Sequence, residues 1–187
     1  MNKKEVNSII SEEKILYLGN NKTKIRQMKT SGHKRYFIFM YLYYFRLCQY
    51  YSNLRKNAKG LKRILVKRIL KFYEKKKNIF SYKSGVEIGL NSSIGRCCDI
   101  WHSGIVINGD VGDNCVFHGN NIVGNKGIGN EGLRPVIGNS VDIGAGAIVI
   151  GDIEIADNCI IGAGAVVVKS FNEPSSVVVG VPGKRIN

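Results

Sequence analysis

Three histidines, His33, His102 and His118, are the side chains in this sequence best suited to moving protons near neutral pH, the range in which imidazole titrates. His102 lies in Asp99-Ile100-Trp101-His102-Ser103-Gly104-Ile105-Val106-Ile107-Asn108. It reads either as a general base, taking a proton from an attacking hydroxyl, or as a histidine of a surface turn. His118 follows the apolar Phe117 and points to the opposite side, towards a cleft or a subunit contact. His33 sits in a basic stretch and reads as incidental. The five cysteines (Cys48, Cys97, Cys98, Cys115 and Cys159) are odd in number and lack the paired C-x-x-C spacing of a zinc site. No metal is implied.

The element that must hold these residues is a six-residue repeat. Apolar residues recur at Ile88, Ile94 and Ile100, then at Ile105, Val111, Phe117 and Val123, and again from Ile137 through Ile143, Val149, Ile155 and Ile161 to Val167. Two positions before many of them stands a second small or apolar residue, as at Cys98, Cys115, Val141, Ala147, Ile153, Cys159 and Ala165. A period of six fits neither an α-helix nor a plain alternating strand. It suits short strands and turns wound into stacked coils, two residues of each strand pointing inward. Cys98, Cys115 and Cys159 then act as small apolar fillers. The register slips between Ile100 and Ile105, which is where His102 sits. It breaks again at 124–135, a glycine-rich segment that reads as a loop thrown out from the coil.

Charge divides the chain. Residues 1–84 carry 22 Lys/Arg and 4 Asp/Glu, a net of +18, whereas residues 85–187 carry 6 and 10, a net of −4. The expected organisation is a basic helical extension or cap over 1–84 and a coil domain over 85–187. Residues 1–30 are polar and read as partly disordered, and 34–79 as helix. Leu61, Ile64, Leu65, Ile69 and Phe72 form an apolar stripe among lysines and arginines, with an aromatic cluster from Tyr36 to Tyr51 upstream. Such a segment suits a cap on the open end of the coils first, and peripheral membrane contact second. Nucleic acid is not implied, since no binding motif is present. The opening residues lack the pattern of a secretory signal. The apolar run Phe37 to Phe45 is far shorter than the roughly 20 residues that span a bilayer. A cytoplasmic protein with reduced thiols is expected.

Taken together, the repeat, the stretch His102 to Asn108, the glycine-rich loop and the tail Val179-Gly180-Val181-Pro182-Gly183-Lys184 resemble one family. It is the serine acetyltransferase-like branch of the hexapeptide-repeat, left-handed β-helix acyltransferases, which also contains polysaccharide O-acetyltransferases. The resemblance implies a left-handed parallel β-helix, a homotrimer with sites between subunits, and acetyl-CoA as co-substrate without a metal. It places the general base at His102 and its carboxylate partner at Glu87, fifteen residues earlier and close to one circuit of a coil. The family's second histidine becomes Arg134, which cannot act as a base but suits substrate binding or an oxyanion. Coenzyme A contacts fall on Gly144, Ala145, Gly162 and Ala163, with Lys169, Lys184 and Arg185 near the nucleotide phosphates.

Two departures bear on the acceptor. Trp101 replaces the aspartate that precedes the base in serine acetyltransferases, and an indole face suits a sugar ring better than an ammonium. The front half also looks short for the family's full helical domain. The expected reaction is therefore O-acetylation of a sugar or glycan precursor of surface polysaccharide, with serine O-acetylation for cysteine biosynthesis as the alternative. A γ-class carbonic anhydrase would need three histidine ligands, and the repeat region holds only His102 and His118.

Overall fold

A computed structural model describes residues 2–130 and 132–187. They form two compact units, Met1–Gly85 and Val86–Asn187.

The first unit consists of α1 (Lys3–Leu18), α2 (Lys22–Thr30), α3 (Lys34–Asn57) and α4 (Gly60–Ser84). Residues 3–18 and 22–30 are thus helix, against expectation. Asn2 caps α1 through hydrogen bonds from the Lys4 and Glu5 amides, and the Glu5 carboxylate accepts the Asn2 amide in return. Val6, Ile9, Tyr17 and Leu18 give the helix a buried face. His33 has a structural job: its Nδ1 accepts the Arg35 amide at 3.3 Å and caps α3. The expected helix over 34–79 is two helices, broken at Ala58 and Lys59. They pack as a hairpin through rings, Tyr44 against Phe80 and Tyr51 against Tyr73, at centroid distances of 5.6 and 5.3 Å. A buried ion pair joins α1 to α3, with Arg46 Nη2 2.6 Å from Glu13 Oε1. On α4 the buried residues are Val66, Leu70 and Ser84. Leu61, Ile64, Leu65 and Phe72 of the predicted stripe are exposed instead.

The second unit is a three-sided parallel β-helix. Its first face stacks β1 (Val86–Ile88), β4 (Ile105–Ile107), β7 (Ile122–Gly124), β10 (Ile148–Ile150) and β13 (Val166–Val167). The second face stacks β2 (Ser93–Ile94), β5 (Asp110–Val111), β8 (Val136–Ile137) and β11 (Glu154–Ile155). The third holds β3 (Asp99–Ile100), β6 (Val116–Phe117), β9 (Asp142–Ile143), β12 (Ile160–Ile161) and β14 (Val177–Val179), closed by the antiparallel β15 (Lys184–Arg185). Every repeat residue from Ile88 to Val167 that the spacing placed inside is buried. Each coil turns between its second and third faces on a left-handed residue: Cys97, Asn114, Ser140, Asn158 and Ser175 all have φ between 53° and 61°. Segment 125–135 leaves the coil between β7 and β8, and Ile128 at its tip is fully exposed.

Candidate active site

Strand register aligns one corner of the coil, between the third and first faces, residue by residue. Ile100 pairs with Phe117, Phe117 with Ile143, Ile143 with Ile161 and Ile161 with Val178. Two residues further on, His102, Gly119, Ala145, Ala163 and Gly180 therefore lie one above another. Backbone hydrogen bonds hold the steps: the Trp101 amide donates to Phe117, that of His118 to Ile143, Gly144 to Ile161 and Gly162 to Val178. An imidazole stands at one end of this ladder, and the four positions above it have no side chain larger than a methyl group. The result is a corner track of small residues, exposed at Ala145, Ala163 and Gly180 and buried at Gly119.

His102 is exposed, on a turn fitted closely to the coil above. A Cβ added to Gly119 would lie 2.7 Å from the His102 Cβ, and one added to Gly104 would lie 2.2 Å from Asn120 Oδ1. The Asn120 amide donates to the Ser103 carbonyl at 2.9 Å. Beneath the surface, fully buried Asn121 fastens the same corner: its Oδ1 accepts the Gly119 amide at 2.9 Å and its Nδ2 donates to the Gly144 carbonyl at 2.7 Å. Sequence reasoning missed Asn121, although an amide in the small interior slot before Val123 was the visible signal. Gly144 and Gly162 are needed for packing as well, since Cβ atoms there would come within 2.6 Å of the Ala163 amide nitrogen and 2.8 Å of Val179 Cγ1.

Beside His102 stand Trp101 and His118. Their rings lie 4.3 Å apart by centroid. Trp101 is nearly half exposed, and its indole N–H donates to Asp99 Oδ2 at 3.0 Å, which fixes the plane of the ring. His118 Nε2 lies 2.7 Å from Asp142 Oδ1, an ion-pair distance without in-line hydrogen-bond geometry. His118 thus packs against the ring of the residue that precedes His102.

Two expected groupings are not made within one copy of the chain. The fifteen residues from Glu87 to His102 fall short of a circuit, because the register pairs Glu87 with Val106, nineteen residues on. Among the described residues no hydrogen bond or ion pair joins Glu87 to His102. Glu87 is on the first face, four positions past the level of His102. Arg134 is not above His102 either. It enters the second face just before β8, where its Nη2 lies 3.3 and 3.4 Å from the Asp110 carboxylate oxygens. Burial alone would raise the Asp110 pKa, but the amide and hydroxyl of Ser93, at 3.0 and 2.8 Å, together with Arg134 hold it below the ordinary aspartate range. Lys184 pairs with Val179 at the far end of the corner track, with Arg185 beside it. Lys169 lies after β13, at the other end of the first face, its ammonium 5.5 Å from the Phe171 ring centre.

Comparison with known proteins bears on this geometry. The family model for the bacterial transferase hexapeptide (six repeats) matches residues 134–169. The serine acetyltransferase of Mycobacterium tuberculosis is 44% identical over 107 residues, 55% of this chain and 46% of that protein. The chain spans about half the length of the curated relatives it matches. Among solved structures, the Neisseria gonorrhoeae serine acetyltransferase in complex with serine aligns over 99% of this chain and 70% of that one, with 26% identity and a TM-score of 0.68. The Brucella abortus serine acetyltransferase in complex with coenzyme A shares the fold at 22% identity, with a TM-score of 0.73 over 98% of this chain and 68% of that one. These alignments take in the four helices and leave about 30% of each of those chains unmatched.

Proposed function

We propose, from a coil that belongs to the serine acetyltransferase-like hexapeptide-repeat family, that this protein is an acetyl-CoA-dependent O-acetyltransferase with His102 as general base. The observation that carries the reading is the corner track. A thioester substrate with a long flexible arm needs a narrow, side-chain-free path that ends at a base, and the His102 to Gly180 ladder has that form. Backbone amides and carbonyls along it suit the amides of such an arm, and Lys184 at its far end suits phosphates, with Arg185 beside it paired to Glu173. In the reaction, His102 removes the proton of the acceptor hydroxyl as its oxygen attacks the thioester carbonyl. A C–O bond forms and the tetrahedral oxyanion collapses. The C–S bond then breaks, and His102 returns its proton to the departing thiolate.

The acceptor we put first is L-serine, because the curated relatives carry that activity in their names. A sugar hydroxyl is the second reading, favoured by the exposed face of Trp101 beside His118. Arg134 lies on a different face of the coil from His102 in one copy, which supports a site completed by a neighbouring copy and hence a homotrimer. There Arg134 would meet the serine carboxylate or the oxyanion. Acetyl-CoA chemistry and the free thiols fit a reducing, cytoplasmic setting.

The test is release of coenzyme A from acetyl-CoA with L-serine, and with a panel of sugars and nucleotide sugars. His102→Ala is expected to lower kcat by about 100- to 10,000-fold with the fold intact. Full turnover in that variant would remove His102 as the base. Turnover on a sugar but not on serine would reverse the order of acceptors.

A further inference from the structure

α4 turns its hydrophobic residues the wrong way for a helix that only packs on its neighbours. Its buried face is set by Val66 and Leu70, with Tyr73 and Phe80 against the rings of α3. On the opposite side, Leu61, Ile64, Leu65, Phe72, Ile79 and Tyr82 follow one another at helical spacing. All six are exposed, Leu61 by 85% and Tyr82 by 92%. Arg68, Lys71, Lys75, Lys76 and Lys83 lie along and beside that line. The helix carries Glu74 as its only acidic residue. Between turns, Lys71, Glu74, Lys75, Ile79, Tyr82 and Lys83 surround a shallow depression. Among the described residues, no helix is long and apolar enough to cross a membrane.

We propose that this face of α4 docks the protein on the surface of an anionic lipid bilayer. The helix lies in the interface plane, with the Leu61–Tyr82 line among the upper acyl chains and the lysines at the level of the phosphates. Charge selects this occupant over the others. A second copy of the same face would set one dense row of cations against another, which repels. A nucleic acid would satisfy the lysines but leave the apolar line with no partner. A bilayer of negative headgroups meets both halves of the pattern at once, and long basic side chains reach upward from an apolar bed without strain. The expected consequence is an enzyme held beside the membrane and released by salt.

The experiment uses the full chain and sedimentation with vesicles of phosphatidylcholine alone, or with roughly 30% phosphatidylglycerol. Partitioning is expected to be at least about tenfold stronger on the anionic vesicles and to weaken as salt rises. It should fall about tenfold in Leu65→Glu/Phe72→Glu and again in Lys71→Glu/Lys75→Glu, both at exposed positions. Helical circular dichroism checks that the variants fold. Equal binding to both vesicle types, or binding unchanged in the Leu65→Glu/Phe72→Glu variant, overturns the proposal. So does a fall in assembly mass by light scattering in that variant, which would assign the face to a second copy. Retention of duplex DNA without vesicle binding would assign it to nucleic acid.

Discussion

Replacing Gly119 by alanine perturbs the proposed base without touching it chemically. The new methyl would sit 2.7 Å from the His102 Cβ, whereas carbon atoms rest about 3.5–4.0 Å apart. One of the two must retreat by about 1 Å. Gly119 cannot retreat easily, because its amide is held by buried Asn121 and its carbonyl accepts the Gly146 amide at 2.8 Å. The turn bearing His102 is exposed and moves instead. A displacement of about 1 Å in a catalytic group costs about 100-fold in rate, equivalent to about 2.7 kcal/mol of transition-state stabilisation. Gly119 also has φ of 130°, so alanine there adds backbone strain of about 1–3 kcal/mol to the folded state. Gly151→Ala separates the two effects: its φ is 114°, and its added Cβ meets only the flexible end of Lys126 at 3.0 Å. Both variants should lose comparable stability by thermal melting, while only Gly119→Ala loses about 100-fold in coenzyme A release. Equal kcat/KM in the two variants would refute the claim that the Gly119 contact positions His102.

Three further outcomes are expected. Arg46→Met leaves the buried Glu13 carboxyl without its partner, where burial favours its protonated form, and should lower stability in urea by about 3–5 kcal/mol, while Glu13→Leu/Arg46→Met recovers most of the loss. The Asp110 carboxyl is held below its ordinary range, so its stabilising contribution is complete at neutral pH and is lost as pH falls through the folded-state pKa. Asp110→Asn should therefore lower stability at pH 7 and flatten the decline in stability between about pH 5 and pH 2. Cys97 occupies the left-handed corner that Asn114 and Asn158 fill in other coils. Cys97→Asn should raise stability by about 1 kcal/mol, read as a higher melting temperature.

The coil was legible because its interior slots recur at a fixed spacing and each must be apolar, so Ile88 to Val167 could be placed before any contact was known. Pairing across coils was less legible. The resemblance put Glu87 fifteen residues before His102, close to one circuit, yet the circuit from Glu87 takes nineteen residues, because the turn lengths differ at each corner. Arg134 shows a related limit, since a loop's point of return selects its face and only the Asp110 contact reveals which. In the helical unit the direction of the apolar stripe stayed open. Val66 and Leu70 form a short apolar face, and Leu61, Ile64, Leu65 and Phe72 a longer one, and periodicity does not say which of two stripes turns inward. The first 30 residues look polar by composition, but the Asn2–Glu5 cap and the spacing of Val6, Ile9 and Tyr17 carried the helix. The serine alternative, ranked second on Trp101 and the short front half, becomes the first proposal once the relatives are compared.

The corner track also has a metric. Stacked strands repeat every 4.8 Å or so, and four steps separate His102 from Gly180, so the base and the terminal Lys184–Arg185 hairpin stand roughly 19 Å apart along the coil axis. For the proposed reaction the number of coils is therefore a ruler, cut in units of one strand spacing, for the distance between the donor's reactive carbon and its charged tail. A chain that gained or lost one coil between β6 and β12 would keep every local contact and still misread the length of its substrate.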